Sequence, residues 1–299
     1  MPGHFRILNA AVLIVSTLIV GNRGFAQTLD APGHDYVYKT SSGTERHLEI
    51  FFPPHHDPAK AKVPGLILFH GGNWEQGSLA MLRFACAYFA SRGLVAATAD
   101  DRMLDAKGRA ALPHGESPKQ VCVIDGKSAI RWFASHAAEL GIDSNRIIVG
   151  GGSAGGHISA IATMNPGLAD PTDPSGVDPR VAAYVWFNPA FSPEDSKHPE
   201  IDILAHLRAD LPPTIVMFGD QDEAWFPGWK VAYAKWKSLG VQSIELWIAP
   251  GQKHGFFNGK AWRPVTLRAV DDFLVKHGLL SGQSPLPPPP PGTALIPGG

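Results

Sequence analysis

The segment Ile147-Ile148-Val149-Gly150-Gly151-Gly152-Ser153-Ala154-Gly155-Gly156-His157 constrains this chain more than any other. A β-branched apolar run breaks into a glycine cluster carrying one serine, and a helix-permissive stretch follows. Gly151-x-Ser153-x-Gly155 fits a strand-to-helix turn so tight that it thrusts the serine hydroxyl out above a parallel sheet. Glycine suits that turn because it lacks the Cβ atoms that would collide and tolerates unusual backbone angles. The pattern is short and arises by chance, so its context decides it. One rival is a phosphate-binding glycine turn at a helix N-terminus. No lysine follows to make a phosphate loop, and both the spacing and the position of a dinucleotide fingerprint are missing.

The surrounding pattern is that of a mostly parallel sheet covered on both sides. Residues 36–39 and 47–51 flank Ser41-Ser42-Gly43 as an antiparallel hairpin. From Leu66 strands and helices alternate: strand 66–69, helix 79–92, strand 94–99, helix 118–140 and strand 147–150. After the serine come strands 182–187 and 214–218, helix 228–239, strand 245–248 and helix 264–277. Such alternation is the signature of an α/β domain.

Chemistry-bearing residues fall just past the C-terminal ends of these strands, the edge of a parallel sheet where ligands collect. Strand 214–218 runs into Gly219-Asp220-Gln221-Asp222, with Glu223 adjoining, and strand 244–248 into Gly251-Gln252-Lys253-His254-Gly255-Phe256. A serine hydroxyl is a weak nucleophile without an adjacent base, and His254 is the candidate base. His157, directly behind the serine, reads as packing. Asp220 and Asp222 both qualify as the acid that orients the imidazole. Upstream, strand 66–69 opens into His70-Gly71-Gly72-Asn73-Trp74, a glycine turn able to present backbone N–H groups to a developing oxyanion.

Together these motifs resemble the α/β-hydrolase superfamily, in its His-Gly-Gly-bearing esterase/lipase branch, close to acetyl-esterase and acetylxylan-esterase-like enzymes. The resemblance rests on residues 70–74, 99–102, 125–132, 151–156, 219–222 and 254–256, spread from about Tyr36 to His277. It implies an eight-stranded, mostly parallel sheet with helices on both faces and a small cap or none. It also implies a Ser153, Asp222 and His254 triad, Asp222 being chosen because the acid follows the strand-ending glycine by three residues. The oxyanion donors implied are the backbone N–H groups of Gly72, Asn73 and Ala154. His70 becomes a loop brace, and Asp100, Arg102 and Asp125 an ion-pair network beneath the site. Two departures stand out: Asn73 where relatives often carry a third glycine, which narrows the acyl pocket, and Asp101 where a tyrosine usually precedes Arg102.

Trp74, Trp186 and Trp225 fall at strand ends on this same edge and are the candidate substrate-binding aromatics, an arrangement on which a sugar ring or aryl ester stacks. The expected activity is removal of short acyl, chiefly acetyl, groups from carbohydrate or small esters through an acyl-enzyme. No metal or organic cofactor is implied. The alternatives are a serine peptidase of the prolyl-oligopeptidase type, disfavoured by the lack of a propeller-sized N-terminal region, and a catalytically silent binding module.

Residues 1–26 read as a signal peptide: His4 and Arg6 precede an apolar run over 7–20, and Gly24-Phe25-Ala26 offers small residues for cleavage. The mature chain is thus expected to be secreted or periplasmic, with no stable membrane association after cleavage. With a formal net charge of −1 and no long run of one sign, electrostatics makes no case for nucleic acid. Cys86 and Cys122 are expected on opposite faces of the sheet, as buried free thiols. The catalytic domain spans 27–281. Residues 165–180 read as a surface loop rather than a calcium site, despite Asp170, Asp173 and Asp178. The proline-rich tail 282–299 is expected to be extended or disordered.

Overall fold

Side chains alternate across the central strands, and the alternation sorts the apolar core into two layers. Ile67, Phe69, Val149, Trp186 and Val216 face one layer, while Leu66, Leu68, Ile148, Val185 and Met217 face the other. A strand needs apolar residues at every position only when both its faces are covered. The structure is a computed structural model describing residues 31–298 apart from 42, 105, 113–115, 175 and 178. The expected signal segment, residues 1–26, lies outside the described residues.

The strands are β1 (His34–Ser41), β2 (Thr44–Phe51), β3 (Val63–Phe69), β4 (Val95–Ala99), β5 (Ile142–Gly152), β6 (Val181–Phe187), β7 (Thr214–Gly219), β8 (Ile244–Ala249) and β9 (Ile296–Pro297). They form one sheet in the order β1-β2-β4-β3-β5-β6-β7-β8-β9. Every pair from β4 through β8 is parallel, and the flanking pairs are antiparallel. The helices are α1 (Arg83–Ser91), α2 (Ala106–Ala110), α3 (Pro118–Ser135), α4 (Ala154–Met164), α5 (Phe226–Ser238) and α6 (Arg263–Lys276). Buried residues of α3, α4 and α5 fill one layer, and those of α1 and α6 fill the other. Cys122 belongs to the first layer and Cys86 to the second, and both are free and buried.

Nine strands replace the eight expected, because the tail supplies the last one. Ile248 pairs with Ile296 and Trp247 with Pro297, and the Gly298 N–H donates to the Leu246 carbonyl at 2.8 Å. The tail thus adds an edge strand, Ile296–Pro297, to the sheet. Leu286 and Leu295, set among the prolines, pack against the second layer, and the Arg268 guanidinium holds the Leu286 carbonyl. Non-proline residues at the chain's end keep the N–H groups that pairing requires.

In the loop after α4 the described carboxylates Asp170 and Asp173 are engaged by cations and a hydroxyl. Lys39 Nζ lies 2.5 Å from Asp170 and 3.0 Å from Asp125, while Asp173 accepts from Ser128 and faces Arg131. Asp178 lies outside the described residues. Arg102 completes the ion-pair network on Asp125 at 2.8 Å. Asp100, expected in that network, instead accepts the His47 N–H at 2.8 Å, which ties β2 to the end of β4.

Candidate active site

Ser153 sits between the end of β5 and the start of α4 with φ 55° and ψ −119°, a backbone region that costs a non-glycine residue on the order of 1–3 kcal/mol. The glycines around it explain how the turn closes. A Cβ on Gly155 would stand 1.9 Å from the Phe69 carbonyl oxygen, and one on Gly151 would stand 2.5 Å from the same atom. Strand β3 therefore packs directly on the turn. Two backbone bonds hold the serine itself: its N–H donates to Phe187 O at 2.9 Å, and its carbonyl accepts from Ala190 N at 3.0 Å.

His254 comes to it from the loop after β8. Its Nε2 is 2.7 Å from Ser153 Oγ, and its Nδ1 is 2.7 Å from Asp222 Oδ2. The loop is anchored below by Phe256 and Phe257, both buried, with Phe257 stacked on Phe187. Geometry separates the two candidate aspartates. Asp222 is buried and meets the imidazole, whereas the exposed Asp220 accepts the Gly251 N–H at 2.7 Å and braces the histidine loop. Burial alone would push the Asp222 carboxyl up. Donation from His254, Asn188 and the Trp225 N–H outweighs that and holds it below the usual carboxylate range. His157, the rival histidine, is fully buried; its Nε2–H donates to Ile201 O, and burial drives its pKa down to about 4.

The upstream turn lies against the serine. A Cβ on Gly71 would come within 3.0 Å of Ser153 Cβ. Gly72 has φ 130°, Asn73 and Trp74 both have φ 58°, and the Gly72 carbonyl accepts from Glu75 and Gln76 to close the loop. Among the described residues the N–H groups of Gly72, Asn73 and Ala154 donate to no protein acceptor. Three unengaged backbone donors thus belong to the two turns that meet at Ser153. His70 is buried with its Nδ1 on Gly71 O, which suits a brace.

A cleft of about 430 Å³ is lined among others by Asn73, Trp74, Lys119, Asp195, His198 and Trp225; Ser153 and His254 do not line it, and Asn73 and Trp225 connect it to them. Trp225 reaches over it to lie 6.2 Å, centroid to centroid, from the His254 ring. Trp74 forms its buried wall, under the Lys119 ammonium at 4.2 Å. Trp186 does not belong here. It is fully buried among Tyr184, Trp229 and Trp236 with its Nε1–H on Ser159 Oγ, because its place in β6 turns it into the layer filled by α3, α4 and α5. Between Phe191 and Leu211 only two single turns occur, Pro193–Lys197 and Ile203–Ala205, so the cap is minimal and 32% of the His254 side chain stays exposed.

Asn188 escaped the sequence reading. It follows β6 with φ 47°, is fully buried, and donates its amide to Asp222 Oδ2 at 2.8 Å. An asparagine just past a strand on the ligand edge, directly before Pro189, was the available signal.

Residues 48–172 match the family model BD-FAE. Carboxylesterase NlhH of Mycobacterium tuberculosis is 27% identical over 76% of this chain and 76% of its own. The ethyl acetate hydrolase of Pseudomonas putida is 26% identical over 74% of each chain. The solved apo form of Thermogutta terrifontis esterase 2 is 33% identical with a TM-score of 0.75, covering 84% of this chain and 97% of that one. Its propionate-bound form has a TM-score of 0.76 at 32% identity, covering 87% and 99%. The strained serine turn, the unengaged amides and these relatives agree: the chain belongs to the esterase/lipase branch of the α/β-hydrolase superfamily and is an ester-hydrolysing enzyme.

Proposed function

We propose that the chain is a secreted serine esterase that removes short acyl groups, acetyl above all, from carbohydrate or other small alcohols. Ser153 Oγ attacks the ester carbonyl while His254 Nε2 takes its proton. The oxyanion is held by the N–H groups of Gly72, Asn73 and Ala154. As the tetrahedral species collapses, the carbonyl carbon–alkoxy oxygen bond breaks, and the imidazolium protonates the departing alcohol. Water, deprotonated by His254, then attacks the acyl-enzyme and frees the acid and Ser153. Asp222 keeps the Nδ1–H tautomer and stabilises the imidazolium.

The observation that carries this reading is the unbroken Ser153–His254–Asp222 relay, with both contacts at 2.7 Å. Substrate class is supported by the open rim and by the polar lining of the cleft, where Ser117, Ser192, Glu194 and Lys197 accompany Trp225. Serine and charged groups beside an aromatic face suit hydroxyl-rich alcohols. Asn73 in the lining of the cleft, where relatives often carry glycine, and the propionate-bound form of the related esterase 2 favour a short acyl group.

An acyl-length series of p-nitrophenyl esters, run beside acetate release from acetylated xylan, tests it. Preference for the acetyl ester with xylan deacetylation is expected. Activity rising toward octanoyl esters, or cleavage of aminoacyl-proline amides, would overturn it. Secretion is tested separately, by N-terminal sequencing of exported protein: a mature start at Gln27 is expected, and retention of full-length chain in the cytoplasm contradicts it.

A further inference from the structure

The segment Phe187-Asn188-Pro189-Ala190 touches both ends of the relay without belonging to it. Phe187 and Ala190 hold the backbone of Ser153 from either side, at 2.9 and 3.0 Å. Between them, Asn188 Nδ2 donates to Asp222 Oδ2 at 2.8 Å, the same oxygen that receives His254 Nδ1. A carboxylate only accepts, so the amide must present its NH₂ to it.

Asn188 is an expensive way to achieve this if stability were the aim. Its φ is 47°, and its Oδ1 is buried with no partner among the described residues. A strained backbone and an orphaned acceptor each work against folding, and both persist where the surrounding structure imposes them for function. The backbone is fixed by Asn188 N–H donating to Met217 O at 2.8 Å, and by Pro189, against which Gly156 packs so closely that a Cβ there would sit 2.9 Å away.

We infer that Asn188 is a positioning residue for ester hydrolysis, locking the Asp222 carboxylate so that its Oδ2 faces His254 while its own segment fixes Ser153. The inference rests on the triad reading above. Without the amide, the carboxylate keeps, among the described residues, only the Trp225 N–H at 3.3 Å and the imidazole itself, so it can rotate about its Cβ–Cγ bond and lose its aim.

Two variants test this. Asn188→Gly tolerates positive φ and removes the amide; Asn188→Asp keeps the shape but sets a second carboxyl against Asp222. His254 is the titratable side chain bonded to that carboxylate. The measurements are kcat and KM on p-nitrophenyl acetate across pH, thermal melting, and Ser153→Ala as the control. Losing a hydrogen bond to a charged group predicts that N188G lowers kcat by about 10- to 100-fold, with KM little changed. N188D should move the acid limb of kcat/KM to higher pH, since two adjacent carboxyls hold a proton between them. A merely structural residue would leave that limb in place. Wild-type kcat and an unmoved limb in folded variants overturn the inference, and so does loss of the folded state in both. An active S153A would instead sink the triad reading, which separates the two failures.

Discussion

Replacing Asp222 by asparagine is the perturbation whose consequence the geometry determines most fully. Oδ2 of Asp222 accepts from His254 Nδ1 at 2.7 Å and Asn188 Nδ2 at 2.8 Å, and Oδ1 accepts from the Trp225 N–H at 3.3 Å. All three partners donate, so an amide can satisfy them only in part. Turning its NH₂ toward Trp225 sets two donors against each other at a buried site, which costs about 1–3 kcal/mol. Turning its carbonyl there places the NH₂ on His254 and Asn188 instead. Asn188 can answer by rotating its unpartnered Oδ1 into place. His254 can answer only by accepting at Nδ1, which puts its proton on Nε2, facing Ser153. That tautomer cannot deprotonate the serine. The variant should therefore fold with near-normal stability and KM yet lose about 10⁴-fold in kcat, a barrier increase of about 5 kcal/mol. The assay is kcat/KM on p-nitrophenyl acetate from pH 5 to 9, with Asp220→Asn in parallel, which should retain most activity because it only caps Gly251. A loss below about 10-fold in D222N, or a larger loss in D220N, would refute the reasoning.

Three further outcomes follow from particular contacts. Gly72→Ala would put a Cβ 1.6 Å from the Gln76 carbonyl oxygen at φ 130°, so the amide turn must rebuild; steady-state kinetics should show kcat falling on the order of 10²–10³-fold, and an unchanged kcat contradicts the oxyanion assignment. His157 is held neutral in the fold, its pKa moved from 6.5 to about 4 by burial. The unfolded chain therefore binds the proton first as pH falls. The stability His157 confers is complete above about pH 6.5 and is lost toward pH 4 by about 3 kcal/mol. Urea unfolding of His157→Gln should show that slope flattened, and an identical slope refutes it. Deleting residues 285–299 strips Leu286, Leu295 and β9 from the sheet edge; calorimetry should record a loss of about 1–3 kcal/mol, with kcat unchanged.

Much of this architecture was legible in local pattern. The fully apolar strands around Leu66–Phe69, Ile147–Val149 and Ile215–Phe218 announce burial on both faces, and the glycines flanking Ser153 announce a close approach that the Phe69 carbonyl then makes. Ser153 and His254 stood out because each follows a strand on one edge, whereas Asp220 and Asp222 share that position and only the family resemblance singled out Asp222. What was not legible depends on facing. Trp186 and Phe187 are neighbours on β6, yet one enters the layer of α3, α4 and α5 and the other meets Phe257 beneath the histidine loop. Chain position alone does not say which face a strand-end residue takes. Asn188 was missed because its role lies in a bond to a residue 34 positions away. Composition likewise does not reveal that Leu286 and Leu295 of the proline-rich tail find apolar cover.

Covalent trapping tests the central claim most directly. An organophosphate such as paraoxon phosphorylates a serine hydroxyl that an adjacent base activates, releasing p-nitrophenolate. Incubating this protein with paraoxon and mapping its peptides by mass spectrometry should place one diethylphosphoryl group per chain on Ser153, with ester turnover lost in proportion to labelling. Modification of a different residue, or full turnover after Ser153 is blocked, would contradict the account.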